Sequence, residues 1–184
     1  MSRFSFSALT AAAIALAAPA MAATQGELGD DSSGTSALSV TIPEQVQITG
    51  IGDITLDDLD AADLASPTGV FATDDVCVFS NAGESRSYGV VATGSGEAGA
   101  FTLVNGDETL AYEVKFNSSP GGNGTKLDPD DEPVAFAGGK ESLDPGCGNA
   151  NASFQVDFTP TALQAATAGQ YGGTLTFLVS PLTP

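Results

Sequence analysis

The side chains that most often carry catalysis are scarce in this sequence. It contains no histidine, which excludes a Ser-His-Asp triad, a Cys-His pair and His-ligated zinc. Its two cysteines, Cys77 and Cys147, are an even pair in a chain whose N-terminus reads as an export signal, so they are expected to form one disulfide. A disulfide leaves neither a nucleophilic thiolate nor a metal ligand. Two carboxylates can serve a glycosidase, but the aspartates and glutamates crowd into loop-like stretches, and tryptophan, a common sugar-stacking platform, is absent. No enzymatic activity and no cofactor are expected.

Two patterns imitate functional motifs. Residues 94–99, GSGEAG, match G-x-G-x-x-G after a strand-like stretch. The dinucleotide fingerprint must open a helix whose N-terminus holds the pyrophosphate, whereas here AFTLV continues as a strand and Glu97 would repel phosphate. The expectation is a glycine-rich connection between strands. Acidic clusters at Asp57, Asp58, Asp60 and Asp63, and at Asp128, Asp130, Asp131 and Glu132, offer oxygen ligands of the kind calcium takes. Neither has EF-hand spacing, so both read as solvated loops, with Asp128, Asp130 and Asp131 the weak metal candidates.

The formal net charge is −18, from 23 acidic against five basic residues. Such a surface repels nucleic acid and anionic membranes. Met1 to Ala22 carry Arg3, an apolar run from Ala8 to Ala18, and Ala20-Met21-Ala22 as a cleavage site, which is the pattern of a secretory signal too short to span a membrane. The mature chain is expected to start at Ala23, to lose Arg3 and so to become one unit more negative. No other run approaches membrane length. Residues 23–36 are polar, glycine-rich and acidic and read as a flexible leader, followed by one domain over residues 37–184.

Within that domain, alternation dominates. Leu38, Val40 and Ile42 alternate with Ser39 and Thr41 up to Pro43, which cannot donate to a ladder. Val46 and Ile48 resume the pattern, and Ile54 and Leu56 form a third short piece. Asp57 to Pro67 suits a helical turn capped by an aspartate. Strands are expected at Val76–Phe79, Arg86–Thr93, Gly99–Val104, Thr109–Phe116 and Asn151–Thr159, the last with Phe154, Val156 and Phe158 inward and Ser153, Gln155 and Asp157 outward, and a short one at Val134–Ala137. Asn105-Gly106 marks a tight hairpin, and Asn117 to Pro133 reads as a surface loop. Pro160 to Thr167 suits one or two helical turns before a last strand. In that strand, GQYGGTLTFLVS, the residues Tyr171, Gly173, Leu175, Phe177 and Val179 share one face. Only four residues follow, so the strand is expected to lack a successor to pair with. About six to eight short strands with regular turn signals indicate an all-β sandwich.

The ending AGQYGGTLTFLVSP, the preceding FQVDFTPTALQAAT and the segment SALSVTIPEQVQIT together resemble chaperone–usher pilus subunits, nearest to the spore-coat-protein-U-like fimbrial branch. The resemblance implies an immunoglobulin-like sandwich lacking its last strand. A periplasmic chaperone, and then the N-terminal extension of another subunit, would fill the gap. It further implies export through the periplasm, an outer-membrane usher, and a place on the cell surface or among secreted proteins. Leu38, Val40 and Ile42 would be the donor plugs, and the final strand with Tyr171, Gly173, Leu175, Phe177 and Val179 the acceptor. Family donors usually lie near the mature N-terminus, and the related branch often has a cysteine in its first strand; this chain has neither feature. Residues 37–49 therefore suit either an intermolecular donor or the domain's own first strand. The alternative function is a self-contained secreted β-sandwich that binds a partner through its acidic loops, supported by calcium.

Overall fold

The computed structural model describes residues 23–129 and 131–182, so the expected signal segment lies outside the described residues. The chain divides into two compact units, Met1–Ile42 and Pro43–Pro184. In the first, the acidic leader is closed into a loop. Thr24 and Thr35 each donate an amide to the other's carbonyl at 3.0 Å, and their hydroxyls lie 2.5 Å apart. Backbone pairing thus supplies an order that apolar burial could not. Residues 37–42 follow without a ladder, and Leu38, Val40 and Ile42 are 95%, 86% and 76% exposed. Alternation alone has not made a strand here, because a strand needs a neighbour to satisfy its backbone.

The second unit is mostly β. Its strands are β1 (Val46–Thr49), β2 (Val70–Ser80), β3 (Tyr88–Gly94), β4 (Thr102–Asn105), β5 (Glu108–Ala111), β6 (Glu113–Asn117), β7 (Thr125–Leu127), β8 (Val134–Phe136), β9 (Ala152–Phe158) and β10 (Leu175–Pro181). They form a five-stranded sheet ordered β1-β2-β9-β6-β7, a three-stranded sheet ordered β10-β3-β8, and the hairpin β4-β5. Every strand pair is antiparallel. Two short helices complete the unit, α1 (Ala61–Leu64) and α2 (Pro160–Ala165).

Alternating side chains of the two larger sheets share one core. Val76 and Val78 of β2, Phe154 and Val156 of β9, Val114 and Phe116 of β6, and Tyr88, Val90 and Ala92 of β3 are all buried. Aromatic rings bridge the sheets: Phe154 meets Phe177 of β10 at 4.8 Å between centroids, and Phe116 meets Phe136 of β8 at 5.0 Å. The Tyr88 ring stacks on Phe136 at 6.0 Å, and burial pushes its phenol up to about 12. Under α2, Leu163 seals one end of the core. Both helices start where the sequence places a cap. Asp60 accepts from the Ala62 and Asp63 amides while Asp63 accepts from the Asp60 amide, and Thr159 accepts from Ala162 ahead of Pro160. Such caps satisfy the first-turn donors that a helix leaves unpaired.

Four differences from the sequence expectation have local causes. β2 begins at Val70 rather than Val76, because β9 pairs with it over seven positions from Val70↔Phe158 to Val76↔Ala152; the polar run Thr73-Asp74-Asp75 hides that extension. The expected strand Thr109–Phe116 is two strands. At the break, the Tyr112 amide turns to the Phe101 carbonyl at 3.0 Å, so β5 pairs with β4 while β6 joins β9. β7 lies inside the stretch expected to be loop, with Leu127 its one buried residue. Ser153 and Gln155 do face away from the core, yet both are buried. The 118–124 loop folds over them, with Gly122 N–H donating to Ser153 Oγ at 2.8 Å and Asn123 N–H to Gln155 Oε1 at 3.0 Å.

Cys77 and Cys147 are joined by a disulfide, as expected. It anchors a loop in which Lys140 Nζ donates to Asp144 Oδ2 at 2.6 Å and to the Asn149 carbonyl at 2.8 Å. Gly148 N–H also donates to Asp144 Oδ2, at 3.0 Å. These bonds, the lysine's first, hold the Asp144 carboxyl below its ordinary value of 3.8.

Two outcomes are expected of this loop. The double variant Cys77→Ala/Cys147→Ala should lose about 4 kcal/mol in denaturant unfolding, the loop-closure value for a crosslink of this span; an unchanged midpoint would contradict it. A carboxyl with a lowered folded-state pKa contributes stability above the unfolded value that is lost as pH falls through the folded one. The melting temperature of the wild-type chain should therefore fall from about pH 4 downward more steeply than that of Asp144→Asn, and parallel pH curves would remove the contribution.

Candidate functional site

β10 is the outer strand of its sheet, with β3 as its one ladder neighbour among the described residues. In an antiparallel edge strand every second residue directs its N–H and C=O away from the sheet. β1 is the outer strand of the five-stranded sheet, and the two edges approach one another. At Gly50 (φ +82°) the chain turns away from β2, and a Cβ there would stand 2.6 Å from Cys147 Cβ. Residues 51–59 then run on outside any strand, with Asp58 at φ +58°, and among the described residues no backbone–backbone hydrogen bond involves them; Gly52 N–H is held by Asp74 Oδ2 at 2.7 Å. Ile54, Leu56 and Leu59 nevertheless pack their side chains against the core.

Between this segment and β10 lies an open slot of about 460 Å³. Residues 51–55 form one wall and Gly173, Thr174, Leu175 and Phe177 the other, while Leu103, Tyr112, Phe154, Val156 and Phe158 line its floor. Two walls whose facing edges find no ladder partner among the described residues thus flank an apolar floor. Tyr112 is 7% exposed, its hydroxyl is buried without a hydrogen-bond partner, and burial raises its pKa.

The acceptor residues expected from the sequence separate into two groups. Leu175, Phe177 and Val179 lie in β10 with partly buried side chains toward the core. Tyr171 and Gly173 precede the strand, which runs on to Pro181. Gly172 is tied to Val104 by two backbone bonds of 2.9 and 3.0 Å, and Thr174 N–H donates to Ser95 Oγ at 3.0 Å. These contacts hold the chain against β4 until it joins β3. Tyr171 Oη donates to the Thr167 carbonyl at 3.0 Å, and Gly173 lines the slot, where a Cβ would come 2.7 Å from Ser95 Oγ.

The remaining candidates lie elsewhere. Asp128 and Asp131 are exposed, and Asp130 lies outside the described residues. Among the described residues no group of three or more His, Cys, Asp or Glu side chains has metal-binding geometry. Residues 94–99 form a turn with a short 3-10 segment at Glu97–Gly99, leading from β3 to β4. The acidic run before α1 supplies its cap. Compared with protein-family models, curated proteins and solved structures, the chain matches none of them.

Sequence reasoning missed the wall at residues 51–55 and the floor at Leu103 and Tyr112. The alternation of Ile54 and Leu56 marks apolar contact but not the absence of ladder bonds, and the floor residues come from distant strands. Gly50 could have flagged the turn. Gly50→Ala should cost about 1–3 kcal/mol, because a side chain at positive φ is strained and this one would also meet the disulfide. Unfolding at the wild-type midpoint would show that the turn is not constrained.

Proposed function

We propose that the chain is a structural subunit of a surface fibre, built as an immunoglobulin-like β-sandwich without its last strand and assembled by donor-strand complementation. One observation carries the reading: a slot with an apolar floor stands open between two segments whose facing backbones find no ladder partner among the described residues, in a chain that also holds an exposed alternating segment. An added strand would satisfy both walls at once and seat alternate side chains on the floor, which is how edge augmentation works.

The donor is residues 36–42, with Leu38, Val40 and Ile42 as plugs. Each apolar side chain fully buried contributes about 1.5–3 kcal/mol before ordering costs. Residues 37–42 take no part in the chain's own sheets, whose first strand is β1; this favours exchange between copies or sibling subunits. The acceptor is Leu175, Phe177 and Val179 on one side and residues 51–55 on the other. The resemblance to chaperone–usher subunits adds the route: export, a periplasmic chaperone holding the slot, and an outer-membrane usher. In this reading no residue is catalytic.

The test compares the chain starting at Ala23 with its Val40→Asp variant. The wild type should form concentration-dependent oligomers by light scattering. The variant, with a charge placed against an apolar floor, should stay monomeric and associate at least about tenfold more weakly. It should still bind a peptide spanning Ser36 to Pro43. A monomeric wild type that ignores the peptide contradicts the proposal.

A further inference from the structure

The proposed exchange joins two surfaces of the same charge, and the described residues leave no basic side chain free to bridge them. Each of their four cations is already engaged within its own chain. Arg86 pairs with Glu141 at 3.1 Å, Lys115 with Asp157 at 3.2 Å, Lys126 with Glu113 at 2.7 Å and Lys140 with Asp144 at 2.6 Å. Four acidic residues are consumed in return, out of 23, so the surface keeps a large excess of negative charge.

That excess brackets the two parts that must meet. Glu27, Asp30 and Asp31 sit in the loop closed by Thr24 and Thr35, immediately ahead of the plugs, and all three are exposed. Because the closure shortens the leader into a loop, these carboxylates stay next to the donor rather than trailing away from it. Glu44 follows the plugs. At the slot, Asp53 lines the wall and Asp74 holds the neighbouring Gly52 amide.

We infer that strand exchange between copies is gated by ionic strength, the acidic leader loop acting as the repelling element. This rests on the exchange reading above. Steering normally speeds association at low salt because partners carry opposite charge; here the sign is reversed, so screening promotes encounter. The Debye length falls from about 30 Å at 0.01 M salt to about 3 Å at 1 M. At the lower salt the carboxylates of two copies repel across many ångströms, and at the higher salt only near contact. The partner that the slot accepts freely at low salt is consequently a donor without acidic flanks, while a second copy of this chain enters at high salt.

The experiment uses the full chain from Ala23 carrying Val40→Asp as the acceptor and a fluorescent peptide as donor. One peptide spans Ala23 to Pro43; a second has the same span with Glu27→Gln, Asp30→Asn and Asp31→Asn. Insertion rates are measured in about 0.01 M and about 1 M sodium chloride, the two screening limits. The native peptide should insert at least about tenfold faster at the higher salt, and the neutralised peptide should change by less than about half that factor on a logarithmic scale. Comparing the two removes the general strengthening of apolar contacts by salt. Equal responses of both peptides, or a native rate that is flat or falls with salt, would overturn the gate while leaving strand exchange standing. Absence of binding by either peptide at both salts would overturn the exchange reading, and this inference with it.

Discussion

A strand at the edge of a sheet keeps half of its backbone groups pointed away from any ladder, and β10 occupies that position over a hydrophobic core. The side chains of Leu175, Phe177 and Val179 are drawn inward to the core, while the far edge of the strand finds no ladder among the described residues. Opposite it, residues 51–59 are in the same condition from the other side, held to the core by Ile54, Leu56 and Leu59. The two deficits face each other across one slot. Local contacts fix the chain on either side of it. The disulfide leaves no room for a side chain at Gly50 where the chain leaves β2, Val104 and Ser95 secure the entry to β10, and α2 closes the neighbouring end of the core.

Unsatisfied edges are usually blunted by charge, proline or a bulge. β10 has none of these along Leu175–Ser180; its exposed positions there are Thr176 and Leu178. An edge left so plain is open to pairing. In the proposed subunit a donor strand takes that opening, and the large excess of negative charge would supply the restraint that the strand itself lacks. Among the described residues every cation is paired within the chain, so none is left to offset that charge.

The sequence was informative wherever one residue type decides the local geometry. Asp60 and Thr159 cap the two helices, Asn105-Gly106 turns the β4–β5 hairpin, and the clean alternation of Phe154, Val156 and Phe158 places β9 facing the core. It was less informative where pairing decides. β7 and the first half of β2 exist because neighbouring strands supply ladders, and nothing in TKL or VFATDD announces them. The reverse holds at residues 37–42, where strong alternation yields no strand because no neighbour is present. The slot was half legible: the β10 wall comes from period-2 spacing, whereas the opposite wall is defined by missing hydrogen bonds, which side-chain patterns do not encode.

The most direct measurement of the central claim is amide hydrogen exchange along β10 in the monomeric chain, before and after a donor strand is supplied. Amides of β10 that donate to β3 should be protected in both states. Those directed at the slot, together with the amides of residues 53–56, should exchange fast in the monomer and become protected when the slot is filled. Protection of every β10 amide in the monomer, or no change on adding the donor, would mean that the edge is already satisfied and that the slot is not a strand acceptor.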